Sequence, residues 1–140
     1  MTATTFYRIA AVLLVFFAVA HTTGFQTFVP DTADGAAVRD AMRSAQFLFG
    51  GRRLTYQQFY DGFGFSITAY LTFSALVAWQ LGNLARTNAA AVVGIGWTFF
   101  AVQLATLVIS GIYFAAPQVI TSALVSVTAG VAALRTQRAA

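Results

Sequence analysis

The sequence predicts an all-α integral membrane protein, a four-helix transmembrane bundle with a short amphipathic helix in its first loop. Three observations carry this. The 140 residues are 59% hydrophobic and only 9% charged, against about 25% charged in ordinary soluble domains. Four apolar stretches lie near residues 6–22, 56–84, 89–114 and 117–134, each reaching the lower limit of about 17 residues needed to cross a bilayer. The polar residues inside those stretches are mostly Ser, Thr, Gln and Gly at three-to-four spacing, which makes small polar seams suited to helix packing in lipid.

Charge and composition narrow the function classes. All eight basic residues are arginine and all four acids are aspartate, for a net charge of +4. A basic balance of this origin reports on membrane topology, and no motif for reading RNA or DNA accompanies it, so no nucleic-acid partner is expected. The absence of cysteine removes disulfides, thiolate nucleophiles, iron–sulfur clusters and Cys-bound zinc. With one histidine, a single chain cannot build a two-His metal or haem site, although an oligomer could. No metal site is expected and no cofactor is assigned.

The first spanning helix, 6–22, begins near Arg8 and reaches His21-Thr22-Thr23-Gly24, where the glycine suits a C-terminal cap. Arg8, the apolar run and Ala18-Val19-Ala20 would equally serve a cleaved signal peptide; with Met1 in place the segment is read as a retained helix. The loop 24–55 carries Phe25, Phe28, Val29, Phe47, Leu48 and Phe49, too apolar for a solvated linker. Within it, Pro30-Asp31 before Thr32-Ala33-Asp34 is a helix-start signal. Val38, Met42 and Ala45 or Gln46 then recur at helical spacing opposite Arg39, Asp40 and Arg43. An amphipathic helix near Ala33 to Leu48 is expected, on the bilayer surface or capping the bundle and broken by Gly50-Gly51.

The second spanning helix, Tyr56 to about Leu84, is longer than a hydrocarbon core of about 30 Å requires. Gln57, Asp61, Gly64, Thr68 and Thr72 align on it as a small, polar seam expected to face protein. The third, 89–114, carries Gln103, Thr106, Ser110 and Tyr113 on one side. The fourth, 117–134, opens with Pro117, presents Gln118, Ser122, Ser126 and Gly130 together, and is stopped by Arg135 and Arg138. Arg8, Arg86, Arg135 and Arg138 flank short segments on the side of the two termini. Arg39, Arg43, Arg52 and Arg53 lie in the long loop, offset by Asp31, Asp34 and Asp40. Short flanking segments weigh most, so both termini are expected in the cytoplasm.

The polar features converge, by chain order, toward the loop side. His21 ends the first helix and Asp61 opens the second, and an acid near lipid needs a partner or a task. The two form a candidate acid–base pair in which the carboxylate orients the imidazole; alternatively Asp61 neutralises Arg52 or Arg53, and His21 bonds a loop carbonyl. Phe25, Tyr56, Phe59, Tyr60, Phe63, Ser110, Tyr113, Gln118 and Ser122 are candidate ligand-binding residues, because small-molecule sites combine apolar walls with a few polar groups. The competing reading makes Tyr56 and Tyr60 an interfacial anchor, and makes the hydroxyls interhelical bonds that fix packing.

The segments AHTTGF (20–25), AVRDAM (37–42) and YQQFYDGFGFSIT (56–68) together resemble an uncharacterised family of small bacterial four-helix membrane proteins, over nearly the whole chain. In size and helix count the chain is also similar to the DoxX-like group. The resemblance implies a four-helix membrane fold in a bacterial inner membrane and transfers no catalytic residue. The function expected is binding of a lipophilic or amphipathic small molecule, lipid or quinone-like, at the extracytoplasmic end of the bundle, with the lipid bilayer as surroundings. Two alternatives stay open: a membrane enzyme using His21 and Asp61 on a lipophilic substrate, and a structural subunit. In the latter, Ser122, Ser126, Gly130, Ala101 and Ala105 would serve as homo-oligomer seams.

Overall fold

Backbone amides in an apolar chain must bond within their own segment, and long helices are the simplest way to do so. The computed structural model describes residues 1–140. Four helices are long and apolar enough to cross a membrane: α1 (Ala3–Thr27), α3 (Tyr56–Thr87), α4 (Ala89–Tyr113) and α5 (Ala116–Gln137). Between α1 and α3 lie α2 (Ala33–Ser44) and two short strands, β1 (Gln46–Phe49) and β2 (Arg52–Thr55). The four long helices suggest a membrane location. Their outward faces agree, since Val12, Phe16, Phe73, Leu76, Ile95, Val108, Ile112 and Val127 are all exposed, an arrangement that a monomer in water rarely tolerates.

The chain is not all-α, and the departure falls in the first loop. The helix expected over Ala33 to Leu48 ends at Ser44, and Gln46–Phe49 instead pairs antiparallel with Arg52–Thr55. Gly50 and Gly51 take φ of +56° and +80°, the left-handed pair that a two-residue hairpin turn requires. The glycines therefore join two strands; they do not simply interrupt a helix. Three of the four long helices, α1, α3 and α5, also run beyond the apolar stretches 6–22, 56–84 and 117–134. α1 runs through Gly24 to Thr27, because the hydroxyls of Thr22, Thr23 and Thr27 each donate to the carbonyl four residues back, which satisfies polar side chains without ending the helix. The second spanning helix likewise continues to Thr87.

Packing divides the chain into two compact units, Ala18–Tyr70 and the combination of Met1–Phe17 with Leu71–Ala140. In the second of these, buried residues recur at three-to-four spacing on each helix: Tyr7, Ala10, Ala11 and Leu14; Leu71, Ser74, Ala75 and Ala78; Val92, Gly96, Phe99 and Gln103; Ser122, Val125, Ala129 and Ala132. The helices approach closely where a side chain is missing. Tyr7 packs its Cβ against Gly82 and sets its hydroxyl into the notch at Gly96. Phe100 fills the one at Gly130. Helices α4 and α5 are antiparallel partners, joined at one end by Trp97 Nε1 donating to Gln137 Oε1 at 3.0 Å. Further along, Ser126 Oγ donates to the Gln103 carbonyl at 2.9 Å. Ser122, Ser126 and Gly130, which the sequence offered as an oligomer seam, are thus covered by α4 of the same chain.

Candidate ligand-binding site

The unit Ala18–Tyr70 is built on one close crossing. Gly64, on the polar seam of α3, meets Phe25 of α1 so tightly that a Cβ there would lie 2.8 Å from the phenyl ring. The approach brings His21 Nε2 to 3.1 Å from the Gly64 carbonyl and the hydroxyls of Thr22 and Thr68 to 2.8 Å from each other. A carbonyl only accepts, so Nε2 carries the proton and, in the neutral ring, Nδ1 is the lone-pair nitrogen. The ring of Phe25 is then held between His21 and Phe65, with centroids 5.2 Å from each.

Helix α2 forms the opposite wall. Thr32 caps it by accepting the Gly35 amide at 3.1 Å, and Arg39 Nη1 donates to the Phe28 carbonyl at 3.2 Å, tying the helix to the segment that leaves α1. Gly35, Val38, Arg39, Met42 and Arg43 face a cavity of about 660 Å³, whose other walls include Phe25, Phe28 and Asp31 and, from α3, Gln57, Tyr60 and Asp61. The size lies within the range of small-molecule sites. Asp61 is half-buried and accepts from Gln57 Nε2 at 2.8 Å, one helical turn away.

The sequence-derived candidates separate here. Phe25, Tyr60 and Asp61 line the cavity. Tyr56, Phe59 and Phe63 belong to an aromatic cluster with the hairpin: Phe47 lies 4.7 Å from Tyr56 and 5.5 Å from Phe59, and Phe59 meets Phe63 edge-on at 4.8 Å. His21 and Asp61 have different partners, the Gly64 carbonyl and Gln57. Arg52 and Arg53 stand on the exposed strand β2. Ser110, Tyr113, Gln118 and Ser122 belong to the other compact unit, where the Ser110 and Ser122 hydroxyls lie 3.0 Å apart and buried, while Tyr113 is 75% exposed. No group of three or more His, Asp, Glu or Cys side chains is placed to hold a metal ion.

Sequence reasoning missed Arg39 and Arg43 as site residues, because it set them opposite Val38 and Met42. The four occupy adjacent positions around the helix, and the face that meets the cavity is wide enough to include them all. The start signal at Thr32 together with this four-residue pattern was the available clue. No family model matches the chain, and no curated protein or solved structure does.

Proposed function

We propose that this chain is a multi-pass, four-helix membrane protein that binds an amphipathic small molecule in the cavity bounded by the end of α1, by α2 and by the start of α3. The observation that carries the reading is the make-up of that cavity. Phe25, Phe28, Val38 and Met42 supply apolar wall, while Arg39, Arg43, Gln57, Tyr60 and Asp61 supply polar groups. Apolar walls with few, fixed polar groups are what orient a ligand having a greasy body and a polar end. Helix α2 has no buried residue, which suits a helix lying at the bilayer surface with a ligand beneath it. By the arginine distribution, this end of the molecule is extracytoplasmic.

Acid–base catalysis by His21 and Asp61 has less support, since each side chain already has a partner that fixes it and the two partners differ. The histidine bond ties α1 to α3 and accounts for the residue structurally.

Native mass spectrometry of the detergent-extracted protein tests the binding reading. The expected spectrum contains a retained lipophilic molecule in the wild type. Val38→Trp, which fills the cavity from the exposed side of α2, should lose most of that mass while leaving the protein folded. Equal retention by both proteins, or a bare wild type, would rule the cavity out as the site.

A further inference from the structure

The charged groups around this cavity are balanced, and the bonds that Arg39 and Asp61 make are to neutral partners. Two arginines, Arg39 and Arg43, stand one turn apart on α2, and two aspartates face the same space, Asp31 before α2 and Asp61 on α3. Arg39 donates to a backbone carbonyl and Asp61 accepts from a glutamine amide. The Nε–H of Arg39 is buried with no protein acceptor. A buried donor of this kind carries a full desolvation penalty until something accepts from it.

We infer that the cavity takes an amphiphile with a zwitterionic head, an anionic phosphoester held by Arg39 and Arg43 and an ammonium held by Asp61 against Tyr60. This rests on the binding reading above and specifies its ligand. A ligand entering the cavity displaces water from both signs of charge. A head with only an anion leaves Asp61 desolvated and uncompensated; an uncharged head leaves all the charges so. A head with both signs compensates each wall. Two guanidinium groups at one-turn spacing match the several oxygens of a phosphoester better than a single point charge would. Tyr60 lines the same cavity as Asp61, and an aromatic ring in the same site as a carboxylate favours an ammonium. The apolar wall then receives the first part of the acyl chains.

The experiment is a native mass spectrometry titration of the full chain in detergent. Four probes are used: phosphatidylethanolamine, phosphatidylglycerol and diacylglycerol with identical chains, and O-phosphoethanolamine, the head without chains. Phosphatidylethanolamine is expected to bind at least about tenfold more tightly than either lipid lacking the ammonium or the phosphate, the equivalent of one charge-assisted hydrogen bond. Asp61→Asn, which still accepts from Gln57, should reduce phosphatidylethanolamine to the level of phosphatidylglycerol. Arg43→Gln should erase the preference over diacylglycerol, Arg43→Lys should restore part of it, and Arg53→Gln on the exposed hairpin should leave the ranking as in the wild type. Arg43 is the better arginine to change, because Arg39 also anchors α2 to Phe28 and its loss would disturb the fold.

Equal binding of the three lipids overturns the zwitterion inference and leaves the binding reading standing. Failure of all four probes to bind overturns the zwitterion inference, and joined to a bare wild-type spectrum it overturns the binding reading as well. Tight binding of O-phosphoethanolamine alone supports the head chemistry with a soluble source and overturns the amphiphile.

Discussion

Tyr7 is the largest side chain at zero exposure, and what admits it is the absence of a side chain elsewhere. Its hydroxyl occupies the space a Cβ at Gly96 would need, while its Cζ would lie an acceptable 3.6 Å from that Cβ. Gly96→Ala should therefore destabilise the protein by about 1 to 3 kcal/mol through overpacking. Tyr7→Phe, which removes only the clashing oxygen, should restore most of the loss, and thermal unfolding in detergent reads the cycle. If the double variant is no more stable than Gly96→Ala alone, the close approach is wrong. The sequence alone does not say which residue fills the space at Gly96, because a glycine carries no information about its visitor. His21 shows the same limit. It stands out as the one histidine, yet its partner is the backbone carbonyl of Gly64, and a carbonyl belongs to every residue alike.

At the scale of elements, the four spanning helices follow from apolar length alone, whereas the hairpin does not. Gln46–Phe49 continues the apolar pattern of α2, and two arginines open the partner strand, so neither strand shows the alternation that would announce it. The decisive signal is Gly50-Gly51 between two four-residue runs. Register then pairs Phe47 with Leu54 and Phe49 with Arg52, and sets Phe47 and Phe49 together over Phe59 at 5.5 Å each. Gly51 has φ +80°, a conformation that costs a residue with a Cβ roughly 1 to 2 kcal/mol and suits a β-branched one worst. Gly51→Val should loosen the hairpin and its aromatic cluster without touching the spanning helices. Hydrogen exchange is expected to accelerate across residues 46–55, with α4 and α5 unchanged; unchanged exchange in the hairpin would mean that the turn tolerates a side chain.

At the scale of the whole molecule, the sequence makes the crossing segments legible and leaves the orientation to a count of arginines. If all four long helices cross a membrane, both termini lie on one side and residues 28–55 on the other. The count is even, with Arg8, Arg86, Arg135 and Arg138 against Arg39, Arg43, Arg52 and Arg53, so the weighting by position decides. Arg86 and Arg135 sit in the last turns of α3 and α5, where the helix dipole favours a cation. Arg8 lies 5.0 Å over Trp79 and donates to Asn83 at 3.4 Å, a pairing of basic and aromatic groups typical of a membrane interface. These arginines have no acid near them in sequence and flank spanning segments directly, the positions that set orientation most strongly. The arginines of the loop are interleaved with Asp31, Asp34 and Asp40 and stand on α2 and the hairpin. The termini are therefore expected in the cytoplasm. Because the chain has no cysteine, single-cysteine variants report without background. A membrane-impermeant maleimide applied to intact cells should label Ala41→Cys and Gln46→Cys, and should label Thr87→Cys and Ala139→Cys only after permeabilisation. The reverse pattern would invert the protein and turn the cavity toward the cytoplasm. Labelling of all four positions in intact cells would contradict four crossings altogether.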